Sequence, residues 1–275
     1  AADTLSIGER WQVLAGARHA DVADFYGGKA KKTSPSGAVI FKGAENSRLY
    51  GSYARSLQQG YRGPCQDRPD VTNACDIAPP IEAKQYEVGA KMRVGGSLDL
   101  TVAAFRIELP FDYVDEAQLL YGRFGNQVNQ GVEFSAAGNI LPNLAVVAGL
   151  GYLDAELARN EDATLDGNRI PGIPQWNANV FANYGVHGVP GLSLTAGAYW
   201  GGSRMLDVRN AIPVDGYTRI DIGAQYRMPM VLKGLTLRAN VNNVTDKFYW
   251  EGLNFESYSA ALGRTYSITA ELKLQ

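Results

Sequence analysis

The chain has 275 residues, 45% of them apolar, with a formal net charge of -2 and a pI near 5.8. That apolar share suffices for a core, and the lack of any basic excess removes the electrostatic footprint of a nucleic-acid-binding protein. No apolar run reaches about 18 residues, which excludes a spanning helix but not a spanning barrel, whose alternating strands give a mean hydropathy as bland as the -0.19 found here.

The opening "AADTLSIGER" holds no charged region followed by an apolar one, so a secretory leader is absent or already removed. Strand-like segments are expected near 9–23, 34–42 and 47–60. The two cysteines follow, Cys65 and Cys75, in "GYRGPCQDRPDVTNACDIAPP", a stretch too rich in Gly, Pro, Asp and Asn for regular structure. As the only pair they suit a disulfide in an oxidising compartment; the alternative is two free thiols in a cytosolic loop.

Beyond that loop the alternation is plain. "KQYEVGAKMRV" sets Tyr86, Val88, Ala90, Met92 and Val94 against Gln85, Glu87, Gly89, Lys91 and Arg93. Further segments lie near 80–94, 97–113, 119–138, 143–158, 169–186 and 191–206. In 213–229, "YTRIDIGAQYRM" opposes Ile220, Ile222, Ala224, Tyr226 and Met228 to Arg219, Asp221, Gly223, Gln225 and Arg227. In 234–249, Leu235, Leu237, Ala239 and Val241 alternate with Thr236, Arg238, Asn240 and Asn242, and in 257–274 Tyr266, Ile268, Ala270 and Leu272 alternate with polar residues. Period two denotes strands with one greasy face and one wet face. No segment has the pattern of an amphipathic helix. Many of these roughly twelve segments exceed about ten residues, where strands in soluble sheets run to about five or six.

The connections sort into two kinds. "GAEN", "VGGS", "NILPN", "VHGVPG" and "PMVLKG" are tight, while "YGGKAKKTSP", the cysteine loop, "RNEDATLDGNRIPGIP", "GGSRMLDVRNAIP" and "WEGLNFE" are long and irregular. Short turns alternating with long loops mark an up-and-down outer-membrane barrel. Aromatic residues such as Trp11, Tyr53, Tyr86, Tyr152, Trp176, Tyr226 and Tyr266 fall near strand ends, as interfacial girdles would; filling a sandwich core is their alternative role. If the last strand ends at the periplasm, the cysteine loop lies outside, His19 sits high on an outward strand and His187 occupies a periplasmic turn. Two histidines so placed cannot share a triad or a metal pair, and no GxxxxGK[ST] loop occurs. The Asn243 sequon is expected within a strand, and catalysis is not expected.

Eight stretches in order, "RLYGSYARSL", "EAKQYEVGAKMR", "NQGVEFSAAGNI", "GYLDAEL", "IPGIPQWNANVFANY", "DGYTRIDIGAQYR", "NVNNVTDKFYW" and "GRTYSITAELKL", resemble the C-terminal half of a TonB-dependent siderophore receptor. The resemblance spans almost the whole chain. It implies an all-β, antiparallel up-and-down transmembrane β-barrel of about 22 strands around a plug. Residues 1–275 would be the C-terminal portion of that barrel domain, with about twelve strands present and the plug domain absent. It also implies a bacterial outer-membrane location, a ferric siderophore as cargo, TonB as partner through the missing plug segment, and contact with outer-membrane lipid and lipopolysaccharide. Iron would arrive wrapped in the siderophore, so no cofactor, no protein metal ligand and no nucleic-acid partner is expected.

The candidate ligand-binding residues are Tyr61, Arg62, Tyr113, Tyr121, Arg123, Trp200, Arg204 and Trp250. Aromatic rings can stack on aryl groups of a chelate and arginines suit its negative charge; interfacial anchoring or lipopolysaccharide contact is the alternative for each. Lumenal charges, among them Glu87, Arg93, Glu133, Arg219, Asp221, Arg238 and Glu271, are candidates for contact with a plug or for pairing across strands. The chain ends in Gln275 where such barrels usually end in an aromatic residue, so one further phenylalanine is expected to complete the register. Two rival readings remain: a complete small outer-membrane barrel acting as a passive pore or surface enzyme, and a soluble β-sandwich binding module.

Overall fold

A computed structural model describes residues 1–23, 29–44, 46–65, 68–228, 234–254 and 257–272. The expected terminal register at Gln275 and most of the "PMVLKG" turn lie outside the described residues. The strands are β1 (Ala2–Ile7), β2 (Trp11–Ala23), β3 (Lys29–Lys42), β4 (Ser47–Gln58), β5 (Ile81–Val94), β6 (Leu98–Asp115), β7 (Leu120–Leu141), β8 (Leu144–Ala158), β9 (Trp176–Gly185), β10 (Leu192–Gly201), β11 (Arg204–Met205), β12 (Pro213–Val214), β13 (Tyr217–Arg227), β14 (Leu235–Asn242), β15 (Trp250–Asn254), β16 (Ser257–Ala260) and β17 (Thr265–Leu272). The one helical element among the described residues is a single 3-10 turn at Ala163–Leu165.

Thirteen strands form one sheet in the order β1-β2-β3-β4-β5-β6-β7-β8-β9-β10-β13-β14-β17, every neighbour antiparallel; the pairs β11-β12 and β15-β16 stand apart. The order is that of an up-and-down barrel wall, and the wall is open. The count exceeds the twelve segments expected because β1, six residues with only Leu5 and Ile7 as large apolar positions, was too short to register as a strand. Several expected segments were also too long. Residues 169–175 form loop, not strand, and the segments near 191–206, 213–229 and 257–274 each break into a membrane strand and a small extra-membranous strand.

The register fixes which residues share a face. Val88 of β5 stands opposite Gly51 and Ala104, Val102 opposite Phe134, Leu150 opposite Ala178, and Ala198 opposite Ile220. This apolar stripe runs across the whole sheet, and it is bare: Val88 is 61% exposed, Phe134 42% and Ile222 47%. Large exposed apolar areas need an apolar environment, and a stripe continuous over strand after strand matches lipid, not a partner patch. Tilted aromatic pairs, Tyr53–Tyr86 and Tyr152–Trp176, border it at one end, with centroids 5.1 Å and 4.8 Å apart. Trp11–Phe41, at 4.8 Å, and Tyr184 and Tyr226 border the other.

From Trp176 to Tyr184 is eight residues along β9. At about 3.3 Å each and a tilt of about 40° that spans about 20 Å of membrane depth, near the roughly 25 Å band of outer-membrane barrels. The tight turns gather at the Trp11 end, where Gly95 and Gly96 take φ of 58° and 74° to close the β5-β6 hairpin in a conformation that side-chain-bearing residues avoid. The long connections gather at the opposite end.

The edge strands β1 and β17 each pair on one side only. Ile268 on β17 is consequently 85% exposed. A row of unpaired N–H and C=O groups costs several kcal/mol per group in hydrocarbon, so neither edge can face lipid directly. Ile222 lies midway between the two girdles. Ile222→Arg should therefore lower stability by about 2–4 kcal/mol in urea unfolding from phospholipid vesicles, whereas Asn240→Arg, on the inner face, should change it by less than about 1 kcal/mol.

Candidate functional site

Above the outer girdle the chain builds three ordered structures from residues distant in sequence. The first is the cysteine loop. Cys65 and Cys75 are joined by a disulfide, with Cα atoms 4.3 Å apart. The loop lies on the tip of the β6-β7 hairpin, which reaches far beyond the girdle because these strands run 18 and 22 residues. Asn73 acts there as a one-residue strand partner: its Nδ2 donates to the Tyr121 carbonyl at 2.8 Å and its Oδ1 accepts from the Tyr121 N–H at 2.7 Å. Arg68 forms a bidentate pair with Glu116 at 2.8 Å and also holds Asp70. The Arg68 guanidinium keeps both carboxyls below the usual carboxylate range. Arg123 pairs at 3.1 Å with the fully buried carboxylate of Asp112 and donates to the Pro79 carbonyl at 2.5 Å. Gly63 is required here, since a Cβ on it would sit 2.5 Å from the Ala74 carbonyl and 2.9 Å from the Tyr121 ring.

The second structure is the β8-β9 loop, folded back over the inner face of β8. Leu165 and Ile170 pack with Phe111, Ala155 and Leu157, and Tyr113, Leu153, Ile173 and Val208 close the cluster. These loop hydrophobics account for the strand expected from residue 169. Asn210 stitches the β10-β13 loop to this cluster, accepting from the Arg169 N–H at 2.8 Å and donating to its carbonyl at 2.9 Å. Asp207 organises that second loop. Burial alone would raise its pKa, but the N–H groups of Ala211, Ile212 and Arg209 hold it below the ordinary value.

The third structure roots the last loop. Tyr249 stacks on Tyr217 with centroids 4.3 Å apart and planes 8° apart, and Arg204 lies over Tyr217 while donating to the Trp250 carbonyl at 2.6 Å. Asn243 is 2% exposed in a turn beyond β14, not within a strand, and its amide bonds to the Lys247 and Leu262 carbonyls. A sequon asparagine bonded in this way does not present its amide to solvent.

The predicted ligand residues therefore divide. Tyr61, Arg62, Tyr121 and Arg123 meet in the cysteine-loop unit. Within it Tyr61 is exposed, Tyr121 donates to the Tyr61 carbonyl at 3.3 Å, and Arg62 contacts Cys75 and Cys65. Tyr113 joins it to the second loop cluster, its ring 5.7 Å from Phe124 and its hydroxyl accepting from the Asp162 N–H at 3.4 Å. Arg204 and Trp250 belong to the third structure. Trp200 stands on the outward stripe between Ala178 and Thr218, a position that suits interfacial anchoring rather than the mouth. Asn73, Asn210 and Asp207 were not anticipated; their only sequence signal is an Asn or Asp in a turn-rich segment.

Below the mouth, on the inner wall, Tyr50 donates to Glu87 at 2.5 Å, Gln85 donates to the same carboxylate at 2.9 Å, and the Lys91 ammonium lies 5.5 Å from the Tyr50 ring. With Glu133 and the bare backbone at Gly149 and Gly151 they frame an open niche of about 300 Å³. Among the described residues no cluster of His, Cys, Asp or Glu is arranged to hold a metal ion.

Residues 1–244 match the family described as TonB dependent receptor-like, beta-barrel. The chain is 33% identical to the ferrichrome receptor FcuA of Yersinia enterocolitica over 228 residues, 82% of this chain and 30% of that protein. It is 30% identical to the probable TonB-dependent siderophore receptor PiuA of Acinetobacter baumannii over 249 residues, 86% and 33% respectively. The structure of BauA, the ferric preacinetobactin receptor of Acinetobacter baumannii, superposes with a TM-score of 0.81 at 27% identity, covering 98% of this chain and 42% of that one. The chain thus spans about a third of the length of these curated relatives.

Two outcomes follow from the loop geometry. Asn73→Ala leaves the Tyr121 backbone unpartnered at a cost of about 1–3 kcal/mol, so exchange of the Tyr121 amide should quicken about tenfold or more. Asp207 has a folded pKa below its unfolded one, so its contribution is complete above the ordinary carboxylate value of about 3.9 and is lost as pH falls from there through the lower folded value. Pepsin cleavage of the β10-β13 loop, taken relative to cleavage of an unstructured control peptide at the same pH, should accelerate as pH falls below about 4 in the wild type and be fast throughout in Asp207→Asn.

Proposed function

The chain belongs to the TonB-dependent receptor family, within its β-barrel domain, and we propose that it is the C-terminal portion of an outer-membrane receptor that imports a ferric siderophore using energy delivered through TonB. The observation that carries this reading is the pairing of a lipid-type apolar stripe with ordered loops at one end, on a chain 33% identical to a ferrichrome receptor.

In this reading the three loop structures form one wall of the binding mouth. Tyr61 offers an exposed ring for stacking on the organic part of a chelate. Tyr113, Tyr121, Arg123, Arg204 and Trp250 act largely by holding the mouth in shape, since each is engaged with a neighbouring segment, and Arg62 braces the cysteine loop from within through Cys65 and Cys75. A preorganised mouth binds without the entropic cost of ordering its loops. The niche formed by Tyr50, Glu87, Lys91 and Glu133 faces the space that a plug fills in this family, and its carboxylates would take cationic or hydrogen-bond-donating groups of that plug. The remaining strands of the barrel pair with β1 and β17 and remove the two open edges. Iron travels inside its chelate, so the chain supplies no metal ligands. Outer-membrane lipid surrounds the stripe, with lipopolysaccharide meeting the rim above it.

The test is uptake of radiolabelled iron by iron-starved cells whose only siderophore receptor is the full-length protein carrying this chain. The chelates offered would be ferrichrome, a ferric catecholate and ferrioxamine B. Uptake of at least one chelate that disappears on deletion of TonB is expected. Uptake of none, or uptake indifferent to TonB, would contradict the proposal.

A further inference from the structure

The charges of the mouth narrow which chelate it takes. Residues 59–80, 112–123, 159–175, 202–216 and 243–264 make up its loops from β4 onward, and they carry nine Lys and Arg against fourteen Asp and Glu, a net charge of -5. The whole chain carries only -2, so the acidic excess is concentrated in these loops. Cations on the strands beneath do not offset it. Arg55, Lys84 and Arg106 stand on the outward face, turned away from the lumen, and Lys31 and Lys32 are paired with Asp21 and Glu82.

Six of the nine loop cations are already engaged. Arg68 holds Glu116 and Asp70, Arg123 holds Asp112, and Arg209 pairs with Asp162 at 3.6 Å. Arg204 is 7% exposed against the Tyr217 ring, Arg169 donates to the Ser203 carbonyl at 2.9 Å, and Arg62 donates to the Cys75 carbonyl at 3.4 Å. The carboxylates are not cancelled in the same way. Asp115, Asp166 and Asp207 are held by amide N–H groups, which leave the negative charge in place. Asp76, Glu161 and Asp215 are exposed, with no side-chain hydrogen bond or ion pair among the described residues. The remaining cations, Arg159, Lys247 and Arg264, are outnumbered by these six carboxylates.

Below the loops the inner wall offers neutral groups. Gln127 and Asn129 of β7 lie on the same inner face as Asn177 and Asn179 of β9, and Gln127 donates to Asn129 at 2.8 Å. Such amides present donors and acceptors together. Farther in, Glu87 and Glu133 outweigh Lys91, and Arg219 is matched by Asp221 at 3.2 Å. No stage of the path along this wall carries a surplus of positive charge.

We propose that this mouth selects an uncharged ferric chelate of the trishydroxamate class and excludes anionic tris-catecholates. Three hydroxamates, each losing one proton, cancel the charge of ferric iron, whereas three catecholates, each losing two, leave the chelate triply negative. A field of one sign across the mouth lowers the local concentration of a like-charged solute and leaves a neutral one unaffected. The wall amides then bond the carbonyl and N–H groups of the chelate's backbone. The inference rests on the reading of the chain as part of a siderophore receptor and deepens it by naming the class of chelate.

The experiment titrates the full-length receptor carrying this chain, in detergent micelles, with ferrichrome and with a ferric tris-catecholate, binding being read from quenching of intrinsic fluorescence. Wild type should bind ferrichrome at least about tenfold more tightly, with the gap narrowing as salt screens the repulsion. The triple variant Asp76→Lys/Glu161→Lys/Asp215→Lys changes the loop charge by two at each position, from -5 to +1, and removes no side-chain hydrogen bond. It should tighten catecholate binding about tenfold and leave ferrichrome binding within about twofold, which also shows that the variant folds. Catecholate bound as tightly as ferrichrome by the wild type, or catecholate binding unmoved in the variant, would overturn the proposal. TonB-dependent iron uptake, measured on the same receptor, separates the two readings: if it persists, the transport reading stands without this one. Binding of neither chelate, with no TonB-dependent uptake, would overturn both.

Discussion

Hydrocarbon offers no hydrogen bonds to a peptide group, and the architecture of this chain follows from that constraint. Each strand from β2 to β14 in the main sheet is paired on both sides, so its backbone polar groups are satisfied by its neighbours. Only then can side chains alternate as they do, with Val88, Phe134 and Ile222 bare on one face and Glu87, Glu133 and Asp221 on the other. In water such a stripe would be an aggregation surface; in a bilayer it is ordinary contact. The same constraint explains why β1 and β17, each paired once, need further strands beside them.

Outside the membrane the constraint lifts and the chain changes its means of order. The loops are held by side-chain amides and carboxylates that imitate backbone partners: Asn73 against Tyr121, Asn210 against Arg169, Asp207 against the Arg209, Ala211 and Ile212 N–H groups of its own turn. Ion pairing at Arg123–Asp112, onto a buried carboxylate, and the Cys65–Cys75 bridge add cross-links that close spans of 11 and 10 residues. Loops so fixed give a mouth whose shape precedes its ligand, the condition under which binding free energy is not spent on ordering.

The membrane part was legible from sequence because a strand with two different solvents writes period two into its residues, and β13, β14, β17 and β5 from Gln85 onward show it. β1 was illegible because six residues are too few for a period to stand out. The loops misled for a physical reason: Ile170 and Ile173 are apolar because they pack in the cluster on β8, and in sequence they look like more strand. The mouth was only partly readable. Pairings such as Arg204 with Trp250 or Asn73 with Tyr121 join residues nearly fifty positions apart, and composition carries no trace of them. Trp200 shows the limit of reading by residue type. Aromatic chemistry suggested ligand contact, whereas its parity with Ala198 and its register beside Thr218 place it on the lipid side.

Everything above depends on which face of the sheet meets hydrocarbon. The most direct test is photolabelling of the membrane-embedded receptor with a carbene precursor dissolved in the lipid, followed by peptide mapping. Label should appear at Ile222, Leu237 and Ile268 and be missing from Asp221, Arg238 and Thr269. Label on the second set with none on the first would contradict the account.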